Sequence, residues 1–154
     1  SYERTGRRLA KKLLSSKLIL LYTAPNEAHL GLIWKAKLNE TAKFPAFANT
    51  IPEMNHNEIV GFQRTKVPTH ALFLTSRKTA KRVAARMKLT AELLKDLRIA
   101  STTISLQGST VRNTAWNAVI LSEWTSYFLA KARGVNPTAT TMIDILKQRM
   151  AHTS

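Results

Sequence analysis

Four proton-handling side chains, Glu40, Glu53, His56 and Glu58, fall in one stretch between Asn39 and Phe62, interleaved with Asn39, Asn55 and Asn57. Carboxylates beside an imidazole suit general acid–base chemistry, in which one group takes a proton from carbon and another moves protons between oxygens. Polar groups gathered at the ends of elements suit a site better than a core. His56-Asn57-Glu58 also has the H-x-E form of a zinc deaminase, but that chemistry needs a downstream pair of cysteines. The chain has none. His29, His70 and His152 make no paired metal-ligand spacing either. No metal is expected.

The elements that must position these groups are legible around them. An apolar helical pattern through Leu30, Ile33, Trp34, Ala36 and Leu38 runs from Glu27 and stops at Asn39-Glu40. Pro45 and Pro52 bracket an extended piece. A new helix is expected from Asn55, with Asn55 as its cap and Glu58 in capping-box spacing. Capping is the plainer reading of Glu58. His56 would then be the first helical residue, and a helix N-terminus disfavours imidazolium, leaving a neutral ring able to exchange protons near neutrality.

Elsewhere, Glu3–Ser15 reads as a helix with Leu9, Ala10 and Leu13 opposite Arg7, Arg8, Lys11 and Lys12. Its apolar face is short, so it is expected to pack on a sheet rather than on a membrane. Leu18–Thr23, His70–Thr75 and Arg98–Leu106 read as strands, and His70 as ordinary structure. Ala80–Leu97 is an amphipathic helix. Ser109 is expected to cap a long helix to Arg133, in which Trp116 and Trp124 are packing residues and which Gly134 and Pro137 end. A last helix spans Thr141–His152. Strand–helix alternation over residues 1–154 predicts one α/β domain with a mostly parallel sheet. Ligands of such sheets gather at strand carboxyl ends, here the Pro25-Asn26 turn, which lacks the Ser- or Gly-rich composition of a phosphate cradle.

The 154 residues can bury a sizeable core, and 44% hydrophobic content is ordinary. No signal-peptide pattern opens the sequence, and its apolar runs are too short to span a bilayer, so a cytoplasmic protein without membrane contact is expected. The charge is unusual: 24 Lys and Arg against 9 Asp and Glu, formally +15. Such a field draws anions, whether phosphosugars or nucleic acid. Arg77, Lys78, Lys81, Arg82, Arg86 and Lys88 follow one another without an acid. A solvated face is the plainer account, since no aromatic residues interleave to stack bases.

The motif N-E-x-x-K-x-P-A-F from Asn39, then P-E-x-x-H-N-E-I-V-G-F from Pro52, resembles the C-terminal half of the archaeal and bacterial bifunctional phosphoglucose/phosphomannose isomerases. Those proteins are built from two sugar isomerase (SIS) domains. Y-F-L-A-K-A-R-G at 127–134, V-N-P at 135–137 and I-D-I-L-K at 143–147 agree with it in order. The resemblance implies an SIS three-layer sandwich and an aldose–ketose isomerase of phosphosugars. Glu40 would be the C1/C2 base, and His56 and Lys147 would open the sugar ring. Thr140 would make room for the mannose epimer, with Asn39 also at the substrate. It further implies no cofactor, and a homodimer in which His56 serves the neighbour's site. One departure stands out: the S-x-S-G-x-T loop that grips the phosphate in the family's N-terminal SIS domain is missing here. The chain is therefore expected to be a C-terminal half, needing an N-terminal SIS domain in cis or as a separate chain. The alternatives are a non-catalytic phosphosugar-binding regulatory module and, more remotely, a basic nucleic-acid-binding domain.

Overall fold

A computed structural model describes residues 1–153. Strand β1 (Leu18–Thr23) is the centre of the molecule, because its apolar run buries side chains on both faces. β2 (Ala46–Thr50) flanks it on one side, β3 (Thr69–Thr75) on the other, and β4 (Ala100–Ser105) completes the order β2-β1-β3-β4. All pairings are parallel, with Ile19 level with Ala46 and His70, and His70 level with Ala100. β2 is the extended piece between the two prolines, and it forms an edge of the sheet. The Ile51–Pro52 peptide is cis.

Helices cover both faces. α1 (Tyr2–Leu13), α2 (Ala28–Glu40) and α5 (Val111–Arg133) lie on one, around Leu13, Ile19, Leu21, Trp34, Leu72 and Leu129. The short α3 (Glu58–Gly61) and α4 (Lys81–Asp96) lie on the other, around Leu20, Tyr22, Met54, Phe73, Met87 and Leu94. Alternate residues of β1 thus feed opposite cores, as a period of two requires. The fold is an α/β three-layer sandwich.

α1 rests on α5 more than on the sheet, and one glycine permits it. A Cβ on Gly6 would stand 2.6 Å from that of Trp124 and 2.9 Å from the Thr125 nitrogen, so the two backbones could not approach with any other residue. Gly134 ends α5 at φ 67°, its N–H donating to the carbonyls of Ala130 and Lys131. The long helix is capped by Thr110 rather than Ser109, with the Thr110 hydroxyl accepting from the Asn113 N–H. Trp124 stacks on Phe128 at 5.6 Å yet stays 36% exposed, and Trp116 is 61% exposed, so neither is enclosed in the core. α6 (Thr141–Ala151) projects past the β2 edge with no buried residue. Among the described residues no helix is long and apolar enough to cross a membrane.

Candidate active site

α2 runs antiparallel to the strands, so it carries its last residues back to the amino ends of β1 and β2. Asn39 fixes that end. Its amide donates to the carbonyls of Lys35 and Ala46, each at 2.9 Å, and its oxygen accepts from the Ala46 N–H. The side chain is a cross-link between helix and edge strand, one residue before Glu40. The turn that follows is pinned from α5: the Arg133 guanidinium donates to the carbonyls of Ala42 and Lys43 and lies 4.6 Å from the Phe44 ring centroid. The Lys43 ammonium donates to the Glu40 carbonyl.

Between this corner and the start of α6 opens a cavity of about 630 Å³. Asn39, Glu40, Phe44 and Phe47 line one wall, and Ala139, Thr140 and Ile143 the other. Glu40 is exposed, and among the described residues its carboxylate has no hydrogen bond or ion pair. The Thr140 hydroxyl donates to Asp144 at 2.9 Å, across the first turn of α6. Lys147 is exposed one helical turn beyond Ile143 on the same side of α6, but it is not among the residues that line the cavity. Residues a hundred positions apart in sequence, Asn39 and Glu40 with Thr140, thus meet at one opening.

His56 is elsewhere. It follows the carboxyl end of β2, whereas Glu40 stands at the amino end. Five residues of strand separate those levels by roughly 16 Å. Within one chain, then, the imidazole does not reach the cavity. Its local frame also differs from the expected capping box. Asn55 does not cap: its amide donates to Thr90 on α4 at 2.8 Å. Asn57 is the cap, its side chain accepting from the Glu58 N–H. His56 precedes that cap and closes a 3-10 turn over Glu53–Asn55, so it is not the first residue of a helix. Glu58 turns inward instead, accepting from the Tyr22 hydroxyl at 2.7 Å and from the Asn49 amide. Burial, then the hydrogen bond to Glu58 and its charge, push the Tyr22 hydroxyl far above the usual tyrosine range. His56 is therefore exposed on a segment anchored on both sides, to α4 by Asn55 and to β1 and β2 by Glu58.

The carboxyl ends of β1 and β3, where strand order reverses and a ligand would be sought first, are closed. Glu27 is 3% exposed there. Its carboxylate accepts from the hydroxyls of Ser76 and Thr79, in the loop after β3. Each hydroxyl is itself aimed by a backbone N–H, from Lys78 onto Ser76 at 3.0 Å and from Ser76 onto Thr79 at 2.8 Å. Only about 50 Å³ remains open beside them. Sequence reading missed this clamp. The only signal was a pair of hydroxyl residues in T-S-R-K-T, 49 and 52 positions from their partner.

A four-stranded parallel sheet between helix layers defines the class as an α/β three-layer sandwich, and solved structures share it. The crystal structure of a glucose-6-phosphate isomerase like protein from Thermus thermophilus superposes with a TM-score of 0.72 at 22% identity, over 93% of this chain and 46% of that one. Sequence narrows this further. A profile described as "Bacterial phospho-glucose isomerase C-terminal SIS domain" matches residues 3–150. The chain belongs to that family. Bifunctional phosphoglucose/phosphomannose isomerases from Aquifex aeolicus and Caldicellulosiruptor bescii are 27% and 33% identical to it. These matches cover 97% and 93% of this chain but 47% and 44% of the relatives, so the chain spans about half their length.

Proposed function

We propose that this domain is the C-terminal half of a phosphosugar aldose–ketose isomerase, interconverting glucose 6-phosphate or mannose 6-phosphate with fructose 6-phosphate. The observation that carries the reading is the cavity that joins an unengaged carboxylate, Glu40, to Thr140 on the far wall. A base that lifts a proton from C2 of an open-chain aldose and returns it to C1 must be free of competing partners, and Glu40 is. Lys147 would steady the negative charge that builds on the C1 and C2 oxygens. His56 would open the ring in the site of a second copy, since it stands a strand's length from Glu40 of its own chain. Asn39 would act through position, by holding Glu40 over the opening.

The cavity is open to solvent, and the hydroxyl residues on its walls are Thr140 and Thr141 at the start of α6. In this reading the missing half of the protein supplies both the phosphate grip and the cover that excludes water. The isolated domain would then bind phosphosugar weakly and turn over little or none.

The test is the intact mass of the natural polypeptide, then a coupled fructose 6-phosphate assay on it and its Glu40→Gln variant. A chain about twice this length, with turnover lost in the variant, is the expected result. Phosphosugar binding without turnover in the unaltered protein would replace the isomerase with a regulatory module.

A further inference from the structure

The closed crevice at the carboxyl ends of β1 and β3 has the make-up of a binding site that is already filled. The Ser76 hydroxyl accepts the Lys78 N–H, and the Thr79 hydroxyl accepts the Ser76 N–H. Each hydroxyl is thereby turned so that its own proton is free to be donated. Both protons go to Glu27, one to each carboxylate oxygen. A pair of hydroxyls fixed as donors in a buried place is satisfied only by an acceptor.

The field at this point favours an anion. α2 begins directly after Glu27, α5 begins beside it, and α4 begins at Lys81, just past Thr79. None of these helices has an acid in its first turn, so their positive ends have no counter-charge of their own. Lys78 and His29 line the small cavity left there, and Glu27 is the one acid on its walls. Glu27 is buried, yet among the described residues it makes no ion pair. Its charge is held by oriented hydroxyls and helix ends, the means by which proteins hold oxyanions.

From this we infer that the loop after β3 is an oxyanion cradle occupied by the chain's own Glu27, and that removing the carboxylate leaves a site for a phosphate-like anion. A phosphate can accept from both hydroxyls and still has acceptor oxygens to spare for Lys78. In the unaltered protein the tethered carboxylate stands beside the hydroxyls at high effective concentration, and a free anion cannot displace it. The crevice of this domain therefore takes no phosphate while Glu27 is in place. The inference does not rest on the isomerase reading, which uses the cavity at the amino ends of the strands.

The experiment is hydrogen–deuterium exchange on the full natural polypeptide and its Glu27→Ala variant, in inorganic phosphate and in sodium chloride of matched ionic strength. In the variant the amides of Ser76, Lys78 and Thr79 should exchange faster than in the unaltered protein. Phosphate at about 10 mM should then slow them about tenfold, the shift that a ligand with a Kd of about 1 mM produces. The unaltered protein should show no phosphate effect at these amides. Adding Ser76→Ala and Thr79→Ala to Glu27→Ala should abolish the response. A carboxylate that only ties two loops together would leave phosphate without effect in the Glu27→Ala variant, and that result overturns the inference. So does an equal slowing in the unaltered protein, or a response that survives loss of both hydroxyls. Should Glu27→Ala not fold, refolding yield is the readout: recovery in phosphate but not in chloride supports the cradle, and equal yields overturn it.

Discussion

α2 has a glutamate at each end, and the two have opposite fates. Glu27, just before its first turn, is buried at the carboxyl edge of the sheet, favoured by the helix dipole and held by two oriented hydroxyls. Glu40, its last residue, is exposed at the amino edge, where the dipole opposes a negative charge and, among the described residues, no partner compensates it. The first carboxylate ties two loops together and closes the crevice in which α/β sheets commonly bind ligands. The second is left in an unfavourable place beside a cavity. The contrast separates structure from candidate chemistry more sharply than residue type could, since a group stabilised by its surroundings has little left to give a substrate.

Replacement of each glutamate should therefore move a different quantity. Glu40→Gln in the full protein is expected to lower kcat about a thousandfold with KM nearly unchanged. It should leave urea stability the same or raise it by about 0.5 kcal/mol, since a charge opposing the dipole is removed. A variant that lost stability along with turnover would show that Glu40 is a structural residue like Glu27. Glu27→Ala strands the Ser76 and Thr79 hydroxyls and should cost about 2 kcal/mol, seen as a lower urea midpoint, with faster amide exchange in the loop after β3. If stability were unchanged, the crevice would not be held shut by this contact.

Asn39→Ala tests the boundary between the two roles. It removes the cross-link to Ala46 while leaving Glu40 in place, at about 1–2 kcal/mol. Kinetically it should lower kcat by roughly tenfold through misplacement of the base. Asn39→Asp keeps the oxygen that accepts from the Ala46 N–H but not the donors, and should recover only part of that loss. A change in KM alone would move Asn39 from positioning to direct contact with the sugar.

The sequence carries one end of α2 better than the other, for a physical reason. Glu40 lies in a local motif, where the helix stop at Asn39-Glu40, the following Pro45 and the extended run to Thr50 are all read from neighbours in the chain. The helices, β1 and β3 were legible the same way, since burial on both faces leaves continuous apolar runs and amphipathic helices leave a 3.6 period, while β4 was legible from its β-branched residues. β2 read as merely extended because it is an edge strand with only Ala46 buried. Glu27 had no such signal. Its partners are hydroxyls on another loop, and nothing local distinguishes a clamped carboxylate from a helix-starting one. The His56 segment failed for a related reason. Asn55 is the expected cap, but its amide goes to Thr90, and Asn57, its own amide held by Glu53, caps instead. Trp116 shows the limit from the other side, because its apolar ring implied burial and the fold left it on the surface.

His70 supplies the control that keeps pH effects at the two edges apart. It lies buried in β3, with Nε2 3.0 Å from the Thr102 hydroxyl and no contact with either glutamate's site. Burial, with the charge of Lys12 adding to it, lowers its pKa to about 4. Unfolded, the ring titrates near 6.5. Between those values the unfolded chain holds a proton that the folded chain does not, so stability is full above pH 6.5 and falls as pH drops toward 4. The slope is at most about 1.4 kcal/mol per pH unit. His70→Gln should flatten that limb of the urea midpoint against pH and leave the pH profile of kcat unmoved. Should the kcat profile shift with it, loss of activity in acid would reflect the fold, and pH could no longer be used to assign Glu40 its role.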